Sequence, residues 1–125
     1  MCGIFGAVSS SEIQRSLING LLKLEYRGYD SAGISLITGS QKIKRVRCVG
    51  KVKNLRKILN TSKSSGYCGI AHTRWATHGQ PLLKNSHPHN SSKVSIVHNG
   101  IIENSEELKS FLKKRRYKFT SDTDS

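Results

Sequence analysis

The 125 residues read as one α+β unit. Short apolar strands alternate with segments of helical period, turn chemistry punctuates them, and nothing resembles a repeat, a linker or a membrane span. Cys2 to Val8 is a mostly apolar strand, and Ser9-Ser10-Ser11 supplies a helix cap before Glu12. Ile13, Leu17, Leu21 and Leu24 recur at spacings of four, four and three, a helical stripe that ends before Gly28. Ala32 to Ile37 and Ile43 to Val49 are the arms of a hairpin around Thr38-Gly39-Ser40. A short helix fits Val52, Leu55, Ile58 and Leu59. Tyr67 to Ala71 and Val94 to Val97 are two further strands, flanking a long connection from Arg74 to Lys93. Connections of that length are often functional. Asn104 caps a last helix whose buried stripe is Leu108, Phe111 and Leu112, and Lys118 to Thr120 begins another strand.

Charge and cysteine usage narrow the function classes. The formal charge is +13, from 21 Lys and Arg against 8 Asp and Glu. Such an excess raises nucleic acid as a partner. The basic runs at Lys42–Arg47 and Lys113–Lys118, however, read as the wet face of a strand and the tail of a helix, with no recognition module around either. Nucleic-acid binding is therefore disfavoured. Cys2, Cys48 and Cys68 are odd in number and widely spaced, and no signal peptide precedes them, which points to a reduced, cytoplasmic protein without a disulfide framework. A metal site built from Cys68, His72, His78, His87 and His89 is disfavoured as well, because the spacings lack a four-ligand pattern.

Four segments carry residue types that core packing does not require. Removing Met1 would leave Cys2 with a thiol and a free α-amine on one residue, a self-contained nucleophile and base. Tyr26 to Gly33 sets Arg27 and Asp30 between glycines; a local ion pair is the plain explanation. In Gly69 to Gly79, Arg74 leaves a strand end where it can clamp a carboxylate bidentately, and Thr77, His78 and Gly79 can wrap the ligand. His72, within the same strand, reads equally as a satisfied core histidine. Asn99-Gly100 is a hairpin-turn signal, yet its side-chain amide and backbone N–H also form a pair of donors suited to an oxyanion.

Cys2-Gly3-Ile4, Glu25 to Gly33, Ala71 to Gly79, His87-Pro88-His89, His98 to Asn104 and Ser121 to Asp124 occur in the order and approximate spacing of one family. The chain resembles the N-terminal glutaminase domain of the glutamine–fructose-6-phosphate aminotransferases, among the class II glutamine amidotransferases. The resemblance implies the N-terminal-nucleophile hydrolase fold, an αββα sandwich of two sheets between helices. Since family domains run to roughly twice this length, it implies only the first half of that domain in residues 1–125, with no sugar-isomerase domain.

By the same resemblance Cys2 attacks the side-chain amide of L-glutamine, and Asn99 with the Gly100 N–H forms the oxyanion hole. Arg74, Thr77 and His78 hold the substrate α-carboxylate, and Asp124 with the Gly100 carbonyl receives the α-ammonium. Arg27 supports the Cys2 terminus and Trp75 is associated with loop closure. Neither a cofactor nor a metal is implied, and the expected partner is a sugar-isomerase portion, on this chain or another. The competing class is a non-catalytic remnant or binding module that keeps the signature without holding the site.

Overall fold

The computed structural model describes every residue except Lys63, Thr77 and His78. Its centre is a four-stranded antiparallel sheet of β1 (Gly3–Val8), β2 (Ser31–Thr38), β3 (Ile43–Val49) and β4 (Gly66–Arg74), in the order β1-β4-β2-β3. The register explains the composition of both faces. Ala32, Ile34 and Leu36 of β2 lie opposite Thr73, Ala71 and Gly69 of β4, which in turn lie opposite Gly3, Phe5 and Ala7 of β1. Directly opposed residues share a face, so this set, with Cys48 and Val46 of β3, forms one side of the sheet.

Helices α1 (Gln14–Leu24) and α2 (Val52–Thr61) cover that side. Leu17, Leu21, Ile34, Leu55 and Ala71 are fully buried in the resulting core. Gly20 is required in α1, because a Cβ there would fall 2.5 Å from Cγ of Phe5, whose ring lies against the helix. The expected serine cap is not formed. Ser9 and Ser11 bond each other, and the Glu12 carboxylate instead accepts the Gln14 N–H at 2.7 Å. In α2 the apolar stripe is Val52, Leu55 and Leu59, while Ile58 is exposed. The Glu25 carboxylate, from a single 3₁₀ turn after α1, accepts the Val52 N–H at 2.7 Å and caps α2 from outside.

The opposite side of the sheet is polar and small: Gly33 and Ser35 of β2, Arg45 and Arg47 of β3, His72 and Arg74 of β4. A second layer lies over it, formed by a 3₁₀ turn at Leu83–Asn85 and the two-residue strands β5 (His89–Asn90) and β6 (Ser95–Ile96), paired antiparallel. Helix layer, sheet and second short sheet correspond to the first three layers of the expected αββα sandwich. β6 is shorter than the strand expected over Val94–Val97, and β4 runs on to Arg74 because β2 continues to pair with it there. The hairpin turn differs too: Gln41, with φ of 56°, takes the left-handed position near the expected Gly39.

Arg45 and Arg47 are not on a wet face. Arg45 donates to the Pro88 carbonyl at 3.2 Å and Arg47 to that of Ser86 at 2.5 Å, tying β3 to the second layer. Burial lowers both guanidinium pKa values, and with the Arg45 charge nearby it brings Arg47 down to about 10.

The last helix, α3 (Ser105–Lys114), has no buried residue. Leu108 and Phe111, expected inside, are exposed, and the Arg115 guanidinium lies 4.3 Å above the Phe111 ring. Lys118–Thr120 forms no strand. No described helix is long and apolar enough to cross a membrane.

At Gly33 the two layers approach too closely for a side chain. A Cβ on this residue would meet the His87 carbonyl oxygen at 2.1 Å and Pro88 Cδ at 3.0 Å. Gly33→Ala is therefore expected to cost about 3 kcal/mol or more, at or beyond the upper range for overpacking. Urea unfolding measures this; an unchanged midpoint would show that the two layers are not in contact there.

Candidate functional site

Period-two alternation places the site. Cys2 precedes Gly3, so it shares a face with Ile4, which lies opposite His72 at the β4 end that carries Arg74. The chain beyond Arg74 turns back across Cys2. The Trp75 N–H donates to Cys2 Sγ at 3.4 Å, and the thiol lies 3.8 Å from the Trp75 carbonyl oxygen. Arg27 Nε donates to the Cys2 carbonyl at 3.2 Å. The expected Arg27–Asp30 ion pair does not form, since the Asp30 carboxylate accepts the Ala76 N–H and the Ser31 hydroxyl instead.

One cavity is lined by Cys2, Arg74, Trp75, Asn99, Gly100 and Asp124, residues drawn from distant parts of the chain. With Met1 also in its wall, it holds about 50 Å³. That is room for about one or two waters. Met1 is 72% exposed at its mouth. Thr77 and His78 lie outside the described residues.

Arg74 is 4% exposed, and its guanidinium donates to the Gly79 and Gln80 carbonyls at 3.0 and 3.3 Å. It thereby holds the end of the loop, at Gly79 and Gln80, against its own head group. Fully buried Asn85 secures that loop from the far side, donating to the Gln80 carbonyl at 3.0 Å and to Asp122 Oδ2 at 3.2 Å. Asp122 in turn pairs with Lys84 at 2.8 Å, and these two bonds hold its carboxyl below the usual range. Asn85 does not stand out in the sequence, and Asp122 does so only as part of the Ser121 to Asp124 motif. A buried Asn in a polar loop has no signal until its partners are known.

The Asn99-Gly100 pair does not make a hairpin turn. β6 ends at Ile96, and Gly100 is not at positive φ. Instead, the segment is held by its neighbours. His72 Nε2 donates to the His98 carbonyl at 3.1 Å, His98 Nδ1 bonds the Ser125 hydroxyl at 2.9 Å, and Asp124 accepts the Ile102 N–H at 2.7 Å. These bonds leave Asn99 exposed at the cavity.

Beneath the site, His72 stacks on His87 with ring centroids 4.3 Å apart, and His87 meets His89 edge-on at the same distance. Burial is the main cause lowering the three pKa values, to about 4, 2 and 4 respectively, with neighbouring cations or histidines adding to it. Among the described residues no three His, Cys, Asp or Glu side chains are grouped to hold a metal.

No family model matches the chain. Solved structures match it closely: the glutamine phosphoribosylpyrophosphate amidotransferase of B. subtilis, complexed with ADP and GMP, superposes with a TM-score of 0.83 at 28% identity over 98% of this chain and 27% of that one. A structure described as the allosteric regulatory enzyme of purine biosynthesis gives 0.82 at 29% identity, over 96% of this chain and 27% of that one. The fold is thus that of the N-terminal-nucleophile glutamine amidotransferases.

In sequence, the chain is similar to glutamine–fructose-6-phosphate aminotransferase (isomerizing). Identity is 55% to the Haemophilus influenzae protein, 56% to that of Buchnera aphidicola and 59% to that of Acinetobacter baylyi, each over 124 residues and 99% of this chain. It is homologous to their N-terminal region and spans about one fifth (20%) of their length.

Proposed function

We propose that residues 1–125 carry the first part of a class II glutaminase domain and that the reaction is hydrolysis of the glutamine side-chain amide. The convergence of Cys2, Asn99, Gly100, Arg74 and Asp124 on one cavity carries this reading.

After Met1 is removed, the Cys2 α-amine takes the thiol proton and Sγ attacks the amide carbon. The Asn99 side-chain amide and the Gly100 N–H receive the oxyanion. Collapse of the tetrahedral intermediate transfers the proton to the departing nitrogen, releases ammonia and leaves a γ-glutamyl thioester. Water then hydrolyses the thioester to glutamate and the free thiol. Arg74, assisted by Thr77 and His78, holds the substrate α-carboxylate, and Asp124 with the Gly100 carbonyl holds its α-ammonium. Arg27 keeps the Cys2 main chain in place, and Trp75 closes over the bound glutamine. The ammonia acceptor is fructose 6-phosphate, bound by a sugar-isomerase portion outside these residues, and the setting is the cytoplasm.

Glutamate release by the Met1-processed chain tests the proposal, with a Met1-retaining form as control. Absence of glutamate, together with no covalent adduct from a glutamine-analogue electrophile at Cys2, rejects it. The competing binding-module reading draws on the exposed apolar side chains of α3, and it predicts that same inert result. Asn99→Ala is expected to lower kcat by about 10²–10³ with KM nearly unchanged, because the donor acts on charge that develops only in the transition state. A change in KM alone would place Asn99 in ground-state binding instead.

A further inference from the structure

The turn between α1 and β2 grips the start of the Arg74–Gln80 loop at three points. The Asp30 N–H donates to the Arg74 carbonyl at 3.1 Å. The Asp30 carboxylate accepts the Ala76 N–H through Oδ2, while its Oδ1 is fixed by the Ser31 hydroxyl at 2.9 Å. Gly28 completes the grip, since a Cβ there would stand 2.6 Å from the Arg74 carbonyl carbon and 2.7 Å from the Trp75 nitrogen. The main chain on both sides of Trp75 is thus fastened to one aspartate. Between those fastenings lies the Trp75 N–H, aimed at Cys2 Sγ from 3.4 Å. The indole does not provide this anchoring. It is 47% exposed, and among the described residues its ring pairs edge-on with Tyr29 at a centroid distance of 5.4 Å.

We propose that Asp30 is a positioning residue for Cys2: by holding the Ala76 N–H it keeps the Trp75 N–H directed at the sulfur, where that donor stabilises the negative charge needed for attack. The proposal rests on the reading of Cys2 as the nucleophile. What the geometry requires of residue 30 is an acceptor oxygen at the Ala76 N–H, not a charge. Asparagine supplies that oxygen, and its NH₂ can donate to the Ser31 hydroxyl; alanine supplies neither.

The test measures the sulfur itself. Iodoacetamide alkylation of the Met1-processed chain, with the Cys2 rate expressed against that of Cys68 in the same molecule, requires no bound glutamine. Asp30→Ala is expected to lower the Cys2 to Cys68 ratio about tenfold, the scale of one hydrogen bond to a charged group. Asp30→Asn is expected to leave it within about twofold of the parent. A purely structural clasp would lower the urea midpoint of Asp30→Ala without slowing Cys2.

An unchanged ratio in folded Asp30→Ala overturns the proposal, and so does an Asp30→Asn protein as slow as the alanine variant. If Asp30→Ala does not fold, the Trp75 backbone amide resonance decides. It is expected to shift when Cys2 is alkylated, alike in the parent and Asp30→Asn, and no shift overturns the proposal. Failure of the glutaminase reading looks different: no glutamate is released, while the alkylation ratios behave as described.

Discussion

Cys2→Ala is expected to lower glutamine hydrolysis by about 10⁵–10⁶ while leaving the protein folded. Removing the nucleophile from a set of residues that act together costs about 2 × 10⁶ in kcat in a well-studied hydrolase, and only the oxyanion hole and substrate binding survive to help water. The cost in stability is small for a structural reason. Cys2 is half-buried, stands outside the apolar core and, among the described residues, bonds the Trp75 main chain through its sulfur. Substitutions of that kind stay within about 0.5 kcal/mol. Cys48 does not substitute for it. Cys48 is buried among the core residues, and burial pushes its thiol pKa up. Glutamate release and urea unfolding on the same preparation check both halves. More than about 1% residual rate in a folded Cys2→Ala protein would remove Cys2 from the mechanism.

What could be read in advance follows from the range of each interaction. Ala32, Ile34 and Leu36 alternate with Ser31, Gly33 and Ser35, and that period alone gives β2 one face for helices and one for a close second layer. The stripe of Ile13, Leu17 and Leu21 likewise gives α1 its buried side. Both signals are local, and both elements form where they point.

Leu108, Phe111 and Leu112 carry the same helical signal, yet α3 stays unburied. A stripe shows which side of a helix is apolar and not whether anything packs on it. The α2 cap was illegible for a related reason, because Glu25 lies 27 residues from its Val52 partner. Arg45 and Arg47 looked like solvated charges in an alternating strand until the 86–88 carbonyls arrived above them.

The site divides along the same line. The residue types of Cys2, Arg74 and Asn99 suggested a chemistry, and the family resemblance added Asp124 as a candidate. The residues that hold them in place, Asp30, His72, Asn85 and Asp122, act through main-chain hydrogen bonds that no local pattern encodes. The candidate site residues were therefore more legible than the residues that support them.

Below pH 6.5 the protein is expected to lose stability steeply, and the cause is the histidine column beneath the site. His72, His87 and His89 have pKa values lowered to about 4, 2 and 4, against 6.5 when exposed. The unfolded chain thus binds more protons, and stability falls with falling pH. No such loss operates above about pH 7, where both states are neutral. It begins as the pH drops through 6.5, grows towards pH 4 for His72 and His89, and continues below that for His87. Each pKa unit is worth about 1.4 kcal/mol, so the column removes several kcal/mol in all from a total of about 5–15 for a small domain. Acid unfolding is accordingly expected between about pH 6 and pH 4.

His87 offers the sharpest check, since it is 5% exposed and both its ring nitrogens are buried without a hydrogen-bond partner among the described residues. Phenylalanine keeps an aromatic ring between His72 and His89 and removes the two unpaired nitrogens at position 87. His87→Phe should therefore be neutral or stabilising at pH 7.5, and should flatten the fall in urea midpoint from pH 6.5 to pH 4. A parent midpoint that stays level from pH 7.5 to pH 4.5 would mean that the column is not buried in a neutral state.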